Sequence, residues 1–188
     1  MPILGALVGF FAFTSLVSAL PASANAPTMP VGPTYSVAMT GYNAVPAQTD
    51  GDPFTTASGA FSNPEVVAAR SQDLGQNLPF GTIVAIDGPS VPDGTCGYDV
   101  VGKTIGYRVI ADTMNRKFTD RIDVLFSTKD NYIMPNGTTK NAGIVLGVCH
   151  DVSIRVVGYV DISNPANLPK TQAALAALVG GSNDLALK

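Results

Sequence analysis

Two aspartates, Asp112 and Asp123, lie in segments whose other residues predict burial. Asp112 ends an apolar stretch, and Asp123 lies inside another apolar run eleven residues later. Acids are rarely placed in apolar surroundings without a partner or a task, and paired carboxylates are a common arrangement for general acid–base catalysis. In a purely structural alternative, Asp112 begins a turn and bonds to the backbone near Met114. Asp123 then pairs with Arg108 or Arg121.

Strand periodicity indicates which way the two acids point, because side chains alternate between the two faces of a strand. In the predicted strand 121–126 every second residue is large and apolar, so Asp123 points to the opposite face. The predicted strand that ends at Asp112 alternates in the same way. We expect the two carboxylates to converge on one groove if these strands are neighbours joined by the connection 113–120.

The composition limits the classes of ligand. Of the 188 residues, 46% are hydrophobic and 13% are charged, with a formal net charge of -3 and an isoelectric point near 4.9. This length is enough for one domain with a sizeable core. A nucleic-acid-binding protein normally has a basic face, so we expect no nucleic-acid partner. An uncharged polysaccharide, a peptide or a small molecule fits the composition better.

The N-terminus predicts export. Residues 1–26 are typical of a signal peptide, because an almost wholly apolar run is followed by an A-x-A cleavage pattern at 24–26. No Lys or Arg precedes this run, and the alternative is an uncleaved membrane anchor. Both interpretations place the domain outside the cytoplasm, as a secreted, periplasmic or cell-envelope protein with membrane contact only through this segment. A proline-rich spacer, 27–33, follows.

The two cysteines, Cys96 and Cys149, both belong to the exported part. An even number of exported cysteines favours a disulfide, and the alternative is two separately buried thiols. His150 adjoins Cys149, but adjacent side chains on a strand point apart, which disfavours a Cys–His nucleophile. No ligand cluster has suitable spacing, so we expect neither a metal nor a cofactor.

Many short strands and few helices predict a mainly β fold, either a small barrel or a sandwich. The segment 99–112 is interpreted as a strand pair, or as one long strand broken at Gly102 or Gly106. Acids at 50 and 52 are interpreted as part of a turn rather than as calcium ligands. The other predicted strands are 34–42, 66–69, 83–86, 121–126 and 152–161, and the predicted helices are 141–148 and 169–179.

A series of short motifs resembles the 3D domain, named for three aspartates. The domain occurs in A-type membrane-bound lytic transglycosylases and in secreted stationary-phase and resuscitation-factor-like cell-wall proteins. The resemblance covers about 35–157 and implies a six-stranded double-psi β-barrel at 34–163, with one or two short helices, followed by a helical C-terminal extension at 164–188. The motifs are Thr40-Gly-Tyr42, Gln48-Thr-Asp50, Thr56-Ala-Ser-Gly59, Val67-Ala-Ala69, Leu78-Pro-Phe-Gly-Thr82, Asp112-Thr113 and Arg121-Ile-Asp-Val124.

The resemblance also implies an activity, the cleavage of peptidoglycan glycan strands between N-acetylmuramic acid and N-acetylglucosamine to leave a 1,6-anhydro end. Asp123 matches the acid/base of the family, and Asp112 matches its neighbour at the family interval. Asp73 matches the third aspartate, although it precedes the Pro79 turn by one residue more than in the family. The loop 114–118 also departs from the family pattern and is bulkier.

Further residues are predicted to contact the glycan. Thr56, Ser58 and Gly59 would line the groove and bond sugar groups, with packing of a turn as the alternative. Tyr42 would stack on a sugar ring, with a core position as the alternative. Arg121 is a candidate partner for muramyl carboxylates, as are Lys103 and Arg108, with solvated surface charge as the alternative for all three. A non-catalytic wall-binding or wall-loosening module and a structural secreted domain are the competing functions.

Overall fold

A computed structural model of the chain describes residues 32–91 and 94–185, with side chains described as far as residue 181. The predicted signal peptide 1–26 and most of the predicted spacer 27–33 lie outside these ranges. Within them, no helix combines the length and the apolar character that crossing a membrane requires.

Six strands close into a barrel in the order β1–β5–β2–β4–β3–β8. The neighbours β1 and β5, and likewise β2 and β4, run parallel, and the other pairs are antiparallel. Closure leaves no unpaired edge strand. The barrel strands are β1 Thr34–Asn43, β2 Val67–Arg70, β3 Thr82–Pro89, β4 Arg108–Thr113, β5 Arg121–Phe126 and β8 Cys149–Tyr159, and a separate hairpin consists of β6 Asn131–Ile133 and β7 Thr139–Asn141.

Alternate residues of the barrel strands belong to two different hydrophobic clusters, so the strands are buried on both faces. In β5, Ile122, Val124 and Phe126 belong to one cluster and Leu125 to the other. The predicted apolar face of this strand is therefore confirmed. Asp123 has the orientation of Leu125, opposite that face.

Three helices accompany the barrel: α1 Tyr98–Ile105, α2 Ala142–Leu146 and α3 Gln172–Leu185. The helices predicted at 141–148 and 169–179 are confirmed as α2 and α3. Leu175 and Val179 of α3 are buried in the second cluster, which packs this helix against the barrel. The mainly β fold with a closed six-stranded barrel, short helices and a C-terminal helix is thus confirmed.

Helix α1 replaces the first strand that was predicted within 99–112, and that prediction is wrong. Val101 and Ile105, one helical turn apart, are both buried in the first cluster, and this i, i+4 spacing fits a helix rather than a strand. A Cβ atom at Gly102 would lie 2.7 Å from the Tyr98 ring, so the helix needs glycine there. Gly106 has a φ of 64° and follows the last helical residue, a conformation that glycine adopts without strain.

Cys96 and Cys149 form a disulfide with an S–S distance of 1.99 Å, which confirms the predicted pairing. The bond joins the segment before α1 to the first residue of β8. Because the two cysteines are 53 positions apart, the bond closes a long loop that runs from α1 through α2.

Candidate active site

Asp112 and Asp123 lie on either side of Ala69. β4 and β5 are not neighbours, because β2 lies between them, so the condition on which the sequence placed the two acids together is not met. Ala69 is the register partner of both acids. Strands lie about 4.8 Å apart, so two steps separate the Cα atoms by about 10 Å. The carboxylates therefore converge across a small side chain that leaves space above it.

An irregularity in β4 gives Asp112 its orientation. Ala68 pairs with Ile110, whereas Ala69 pairs with Asp112, so Ala111 is an extra residue in β4. A bulge of this kind redirects the side chains that follow it. Asp112 therefore points to the same face of the sheet as Asp123. Without the extra residue, Asp112 would point to the face of Ile110 instead.

Three donors hold the Asp112 carboxylate. Oδ2 accepts a hydrogen bond of 2.9 Å from the Tyr42 hydroxyl. Oδ1 accepts bonds from the backbone N–H groups of Ala57, at 2.9 Å, and Thr113, at 2.8 Å. Acceptance from three donors is the role of an ionised carboxylate. The structural alternative for Asp112 was a bond to the nearby backbone, and the bond from Thr113 is of this kind. The other two bonds join Asp112 to distant parts of the chain.

Asp123 has a different environment. Its side chain is partly exposed to the groove, while Oδ1 is buried and has no hydrogen-bond partner among the described residues. Burial raises its pKa from 3.8 to about 7, and the charge of Asp112 also raises it. A hydrogen bond from Thr40 and the charge of Arg121 oppose the shift but do not cancel it. A substantial fraction of Asp123 is therefore protonated near neutral pH.

The arginines that were candidate ion-pair partners of Asp123 are engaged with other groups. Within the described part of the chain, neither Arg108 nor Arg121 forms a salt bridge with Asp123. Arg108 is 2% exposed, and it donates to the carbonyl oxygens of Pro64 and Leu125. Its pKa is lowered to about 10, chiefly by burial. The predicted ion pair therefore does not form.

Arg121 packs against the loop before β5. Its guanidinium lies 4.9 Å from the centre of the Phe118 ring, a cation–π contact. Lys117 makes a similar contact with the same ring, also at 4.9 Å. Lys103, another candidate for carboxylate recognition, lines a separate pocket beside Asp87 and Arg155. Neither Arg121 nor Lys103 is among the residues that line the groove of the two acids.

The two acids lie on a groove of about 550 Å³, a volume typical of ligand sites. Its walls come from β1, the segment 48–62, β2, β4, β5 and the loop 113–118. Hydroxyl, amide and carboxylate groups dominate, and within the described residues no Lys, Arg or His lines it. The lining residues are Tyr42, Gln48, Thr49, Asp50, Asp52, Thr55, Thr56, Ala57, Ser62, Ala69, Asp112, Thr113, Met114, Asn115, Phe118 and Asp123.

The Thr56-to-Gly59 segment contributes to the groove only in part. Thr56 lines it, but its hydroxyl is engaged with Ala60 O at 3.0 Å and with the hydroxyl of Ser58 at 3.0 Å. Ser58 and Gly59 are not among the lining residues. Ser58 N–H bonds to Ala111 O at 3.1 Å, and Gly59 has a φ of 83°. The packing of a turn therefore accounts for most of this motif.

Tyr42 lines the groove, but its hydroxyl is committed to Asp112. Burial, followed by the charge of Asp112, raises the pKa of Tyr42 well above its usual value. The phenol therefore stays protonated and acts as a donor. Tyr42 is therefore more than a core residue, because it lines the groove, and its hydroxyl has a role besides any stacking on a sugar, because it binds Asp112.

Asp73 lies outside the groove. Its side chain is exposed, and Oδ2 accepts the backbone N–H of Asp120 at 2.9 Å. This bond lowers the pKa of Asp73. Asp120 has a φ of 47° and directly precedes β5. The structure therefore places Asp73 where it supports the entry into the strand of Asp123, not beside the other two acids.

The bulky loop 114–118 forms one wall. Met114 N–H bonds to Arg70 O at 2.9 Å, and Phe118 N–H bonds to Asn115 O at 3.0 Å. These bonds order the loop, and Met114, Asn115 and Phe118 all line the groove. The larger side chains of this loop therefore help to shape the candidate site.

Two groove acids, Asp50 and Asp52, were interpreted as turn residues only. The turn is present, because Asp52 Oδ1 accepts Phe54 N–H at 2.9 Å, which lowers the pKa of Asp52. Both acids also line the groove. The Gln48-to-Asp50 motif had indicated that this segment matters, but the sequence of a turn does not show that the turn lies against the groove.

No model of a known protein family matches the chain, and no curated protein is significantly similar to it. The resemblance to the 3D domain therefore rests on the motif series. Within 32–91 and 94–185, no group of three or more His, Cys, Asp or Glu side chains is arranged to hold a metal ion.

Proposed function

We propose that this chain is a secreted peptidoglycan-active enzyme, a lytic transglycosylase that cleaves the bond between N-acetylmuramic acid and N-acetylglucosamine. The observation that carries the proposal is Asp123, a partly exposed groove acid whose pKa, raised by burial to about 7, leaves a substantial fraction of it protonated near neutral pH. An aspartate with the usual value of about 3.9 would be ionised and could not act as a general acid.

One carboxyl is sufficient for this reaction. Protonated Asp123 donates its proton to the glycosidic oxygen as the bond to the anomeric carbon of the muramyl residue breaks. The C6 hydroxyl of that residue forms the new bond to the same carbon, and its proton passes to the Asp123 carboxylate. The products are a free 4-hydroxyl on one sugar and a 1,6-anhydro ring on the other. Asp123 ends the cycle protonated.

Asp112 has a supporting role. Ordinary glycosidases use a second carboxylate as a base or a nucleophile. The oxygens of Asp112 are engaged by Tyr42, Ala57 and Thr113, which suits a fixed charge better than a nucleophile. That charge favours the protonated form of Asp123. It would also stabilise the positive charge that develops on the anomeric carbon.

The lining of the groove supports a glycan as the substrate, and the disulfide supports a location outside the cytoplasm. Gln48, Thr49, Thr55 and Asn115 line the groove with hydroxyl and amide groups. The amide oxygens of Gln48 and Asn115 accept backbone N–H groups and the Thr49 hydroxyl donates to Val45 O, so the amide NH₂ groups and the remaining lone pairs are what match the hydrogen-bonding groups of a sugar. A disulfide persists in oxidising surroundings outside the cytoplasm. Together with the signal-like sequence 1–26, this supports export to the envelope, where glycan strands of peptidoglycan are the partner.

Digestion of purified sacculi tests the proposal. The protein should release 1,6-anhydro-muropeptides that mass spectrometry detects, and Asp123→Asn should reduce their formation by about 10²–10⁴-fold, the usual loss for a general acid. Asp99→Asn is the matched control, because Asp99 is exposed in the first turn of α1 and does not line the groove. Full activity of Asp123→Asn would disprove the assignment of the acid.

The same digestion distinguishes the competing functions. Binding to sacculi without anhydro products would indicate a non-catalytic wall-binding or wall-loosening module. The bulky loop residues Met114 and Phe118 on the groove are compatible with such a module, because they take up space on one wall. Neither binding nor products would indicate a structural domain.

A further inference from the structure

The spacing of Asp112 and Asp123 leaves room for a small molecule between them. Both acids are register partners of Ala69, and all three residues line the groove. Two strand steps place the Cα atoms of the acids about 10 Å apart, with both side chains on the same face. In inverting glycosidases the two carboxyl groups lie roughly 6.5–9.5 Å apart, which leaves space for a water, whereas in retaining ones they lie about 5 Å apart. The pair across Ala69 has the wider kind of spacing.

Asp112 has one acceptor position that the proposed reaction does not use. A carboxylate has about four lone-pair positions, two on each oxygen. Oδ1 accepts two hydrogen bonds, from the N–H groups of Ala57 and Thr113. Oδ2 accepts the Tyr42 hydroxyl and no second donor among the described residues. One lone pair of Oδ2 is therefore free to accept a hydrogen bond from a water in the groove.

The two acids also differ in protonation. Asp112 accepts three hydrogen bonds, as an ionised carboxylate does. Burial raises the pKa of Asp123 to about 7, so a substantial fraction of it is protonated near neutral pH. Two carboxyl groups whose environments favour opposite protonation states are the usual arrangement of a general acid and a general base. The spacing and the charges therefore assign the same two roles.

We propose that Asp112 gives the protein a second activity, the hydrolysis of the same glycosidic bond by a water held between the two acids. This inference rests on the proposed function, because it uses the same substrate and the same acid. The role of Asp112 as a base is compatible with its three bonds, since a base needs one free lone pair and no direct approach to the anomeric carbon.

The hydrolytic step begins like the proposed one. Asp123 donates its proton to the glycosidic oxygen as the bond to the anomeric carbon breaks. The water oxygen forms the new bond to this carbon from the opposite face, and one water proton passes to Asp112 Oδ2. The products are a free 4-hydroxyl on one sugar and an anomeric hydroxyl of inverted configuration on the other. Proton exchange with solvent then restores protonated Asp123 and ionised Asp112.

The ratio of the two products tests the role of Asp112. Reducing ends report hydrolysis and 1,6-anhydro ends report transglycosylation, whereas substrate binding and proton donation by Asp123 affect both alike. Asp112→Asn should lower the ratio of new reducing ends to anhydro ends by about 10²-fold, the usual loss for a general base. Asp99→Asn removes an exposed charge of α1 and should leave the ratio unchanged. Thermal unfolding checks that each variant is folded.

A modified substrate tests the second activity without any variant. Acetylation of the muramyl C6 hydroxyls of soluble glycan strands removes the nucleophile of transglycosylation and leaves water as the alternative. The unaltered protein should cut these strands to reducing ends only, and removal of the acetyl groups with mild base should restore anhydro ends. Competition with unmodified strands checks that the acetylated ones still enter the groove. NMR should show that the new reducing ends have the inverted, α configuration before they equilibrate.

The outcomes separate this activity from the proposed function. Anhydro ends without any new reducing ends would disprove hydrolysis and leave the transglycosylase proposal intact. Reducing ends without anhydro ends would disprove the transglycosylase and leave hydrolysis intact. If neither product forms, both proposals fail. New ends of β configuration, or an unchanged product ratio in folded Asp112→Asn, would overturn the role of Asp112 as the base.

Discussion

The Tyr42 hydroxyl donates a hydrogen bond of 2.9 Å to Asp112, a residue 70 positions away in the sequence. The two residues belong to β1 and β4, which are separated in the barrel by β5 and β2. Asp123 lies on β5, one of the strands between them. The bond therefore links β1 to β4 beside the groove and holds the Asp112 carboxylate in a fixed position relative to the candidate acid.

Removing this hydroxyl should loosen Asp112. We expect Tyr42→Phe to lower the free energy of unfolding by about 1.5–3 kcal/mol, because a partly buried hydrogen bond to a charged group is lost. Turnover of sacculi should fall by less than in Asp123→Asn, since the acid itself remains. Urea unfolding and product release measure the two effects. Tyr132→Phe is the control, because the Tyr132 hydroxyl makes only an exposed contact of 3.2 Å with Thr104.

The pH dependence of activity should follow the proton on Asp123. The general acid must be protonated, and its pKa is raised to about 7, so kcat/KM should fall as the pH rises through about 7. Asp112→Asn removes a charge that raises this pKa, so the descending limb should move to lower pH. A pH–rate profile of both proteins checks the shift. An unchanged limb in Asp112→Asn would show that Asp112 does not tune the acid.

Stability should depend on pH in the opposite sense from a salt-bridged aspartate. Unfolded protein releases the proton of Asp123 near pH 3.8, whereas folded protein keeps it to about pH 7. The raised folded-state pKa makes ionisation costly in the folded state. This cost is absent below about pH 4, grows between the two pKa values, and is complete above about pH 7.

Asp123→Asn should therefore become more stable relative to the unaltered protein as the pH rises. The gain between about pH 4 and about pH 8 should reach roughly 4 kcal/mol at most, from the difference between the two pKa values. Urea unfolding at both pH values measures it, with Asp99→Asn as the control that should show no such gain. A constant difference across this range would mean that the pKa of Asp123 is not raised.

Loss of the disulfide should destabilise the barrel. The bond between Cys96 and Cys149 closes a loop of 53 residues, for which the chain-entropy relation gives about 4 kcal/mol. Replacing both cysteines with serine should lower the free energy of unfolding by an amount of this order, and reduction of the unaltered protein should have a similar effect. Stability that is unaffected by either treatment would contradict the loop-closure argument.

Local sequence patterns predicted the individual strands and helices better than they predicted which strands pair with each other. Alternation in β5 correctly placed Ile122 and Asp123 on opposite faces, because period two depends only on adjacent residues. The pairing partner could not be read in this way. β2 has only four residues, Val67–Arg70, and its position between β4 and β5 is set by contacts far apart in the sequence.

Two local features misled the prediction. Val100 and Val101 favour a strand, and Gly102 weakens a helix, yet the burial of Val101 and Ile105 on one side stabilises α1. The bulge at Ala111 could not be predicted from the sequence either, because small residues are as common in regular strands as at bulges. The series of motifs indicated that Asp112 and Asp123 act together. Only the closed barrel shows that Ala69 lies between them and that all three residues line the groove.

The strand order of the barrel also determines when the site can form. Thr40 of β1 and Asp123 of β5 are register partners, and the pairing of these strands joins distant parts of the chain. Such non-local pairings form slowly, because a long loop must close before any contact compensates for its entropy. We therefore expect the groove to be assembled late in folding. A chain that has made its local turns and helices but not closed its sheet has every residue of the site and none of its chemistry.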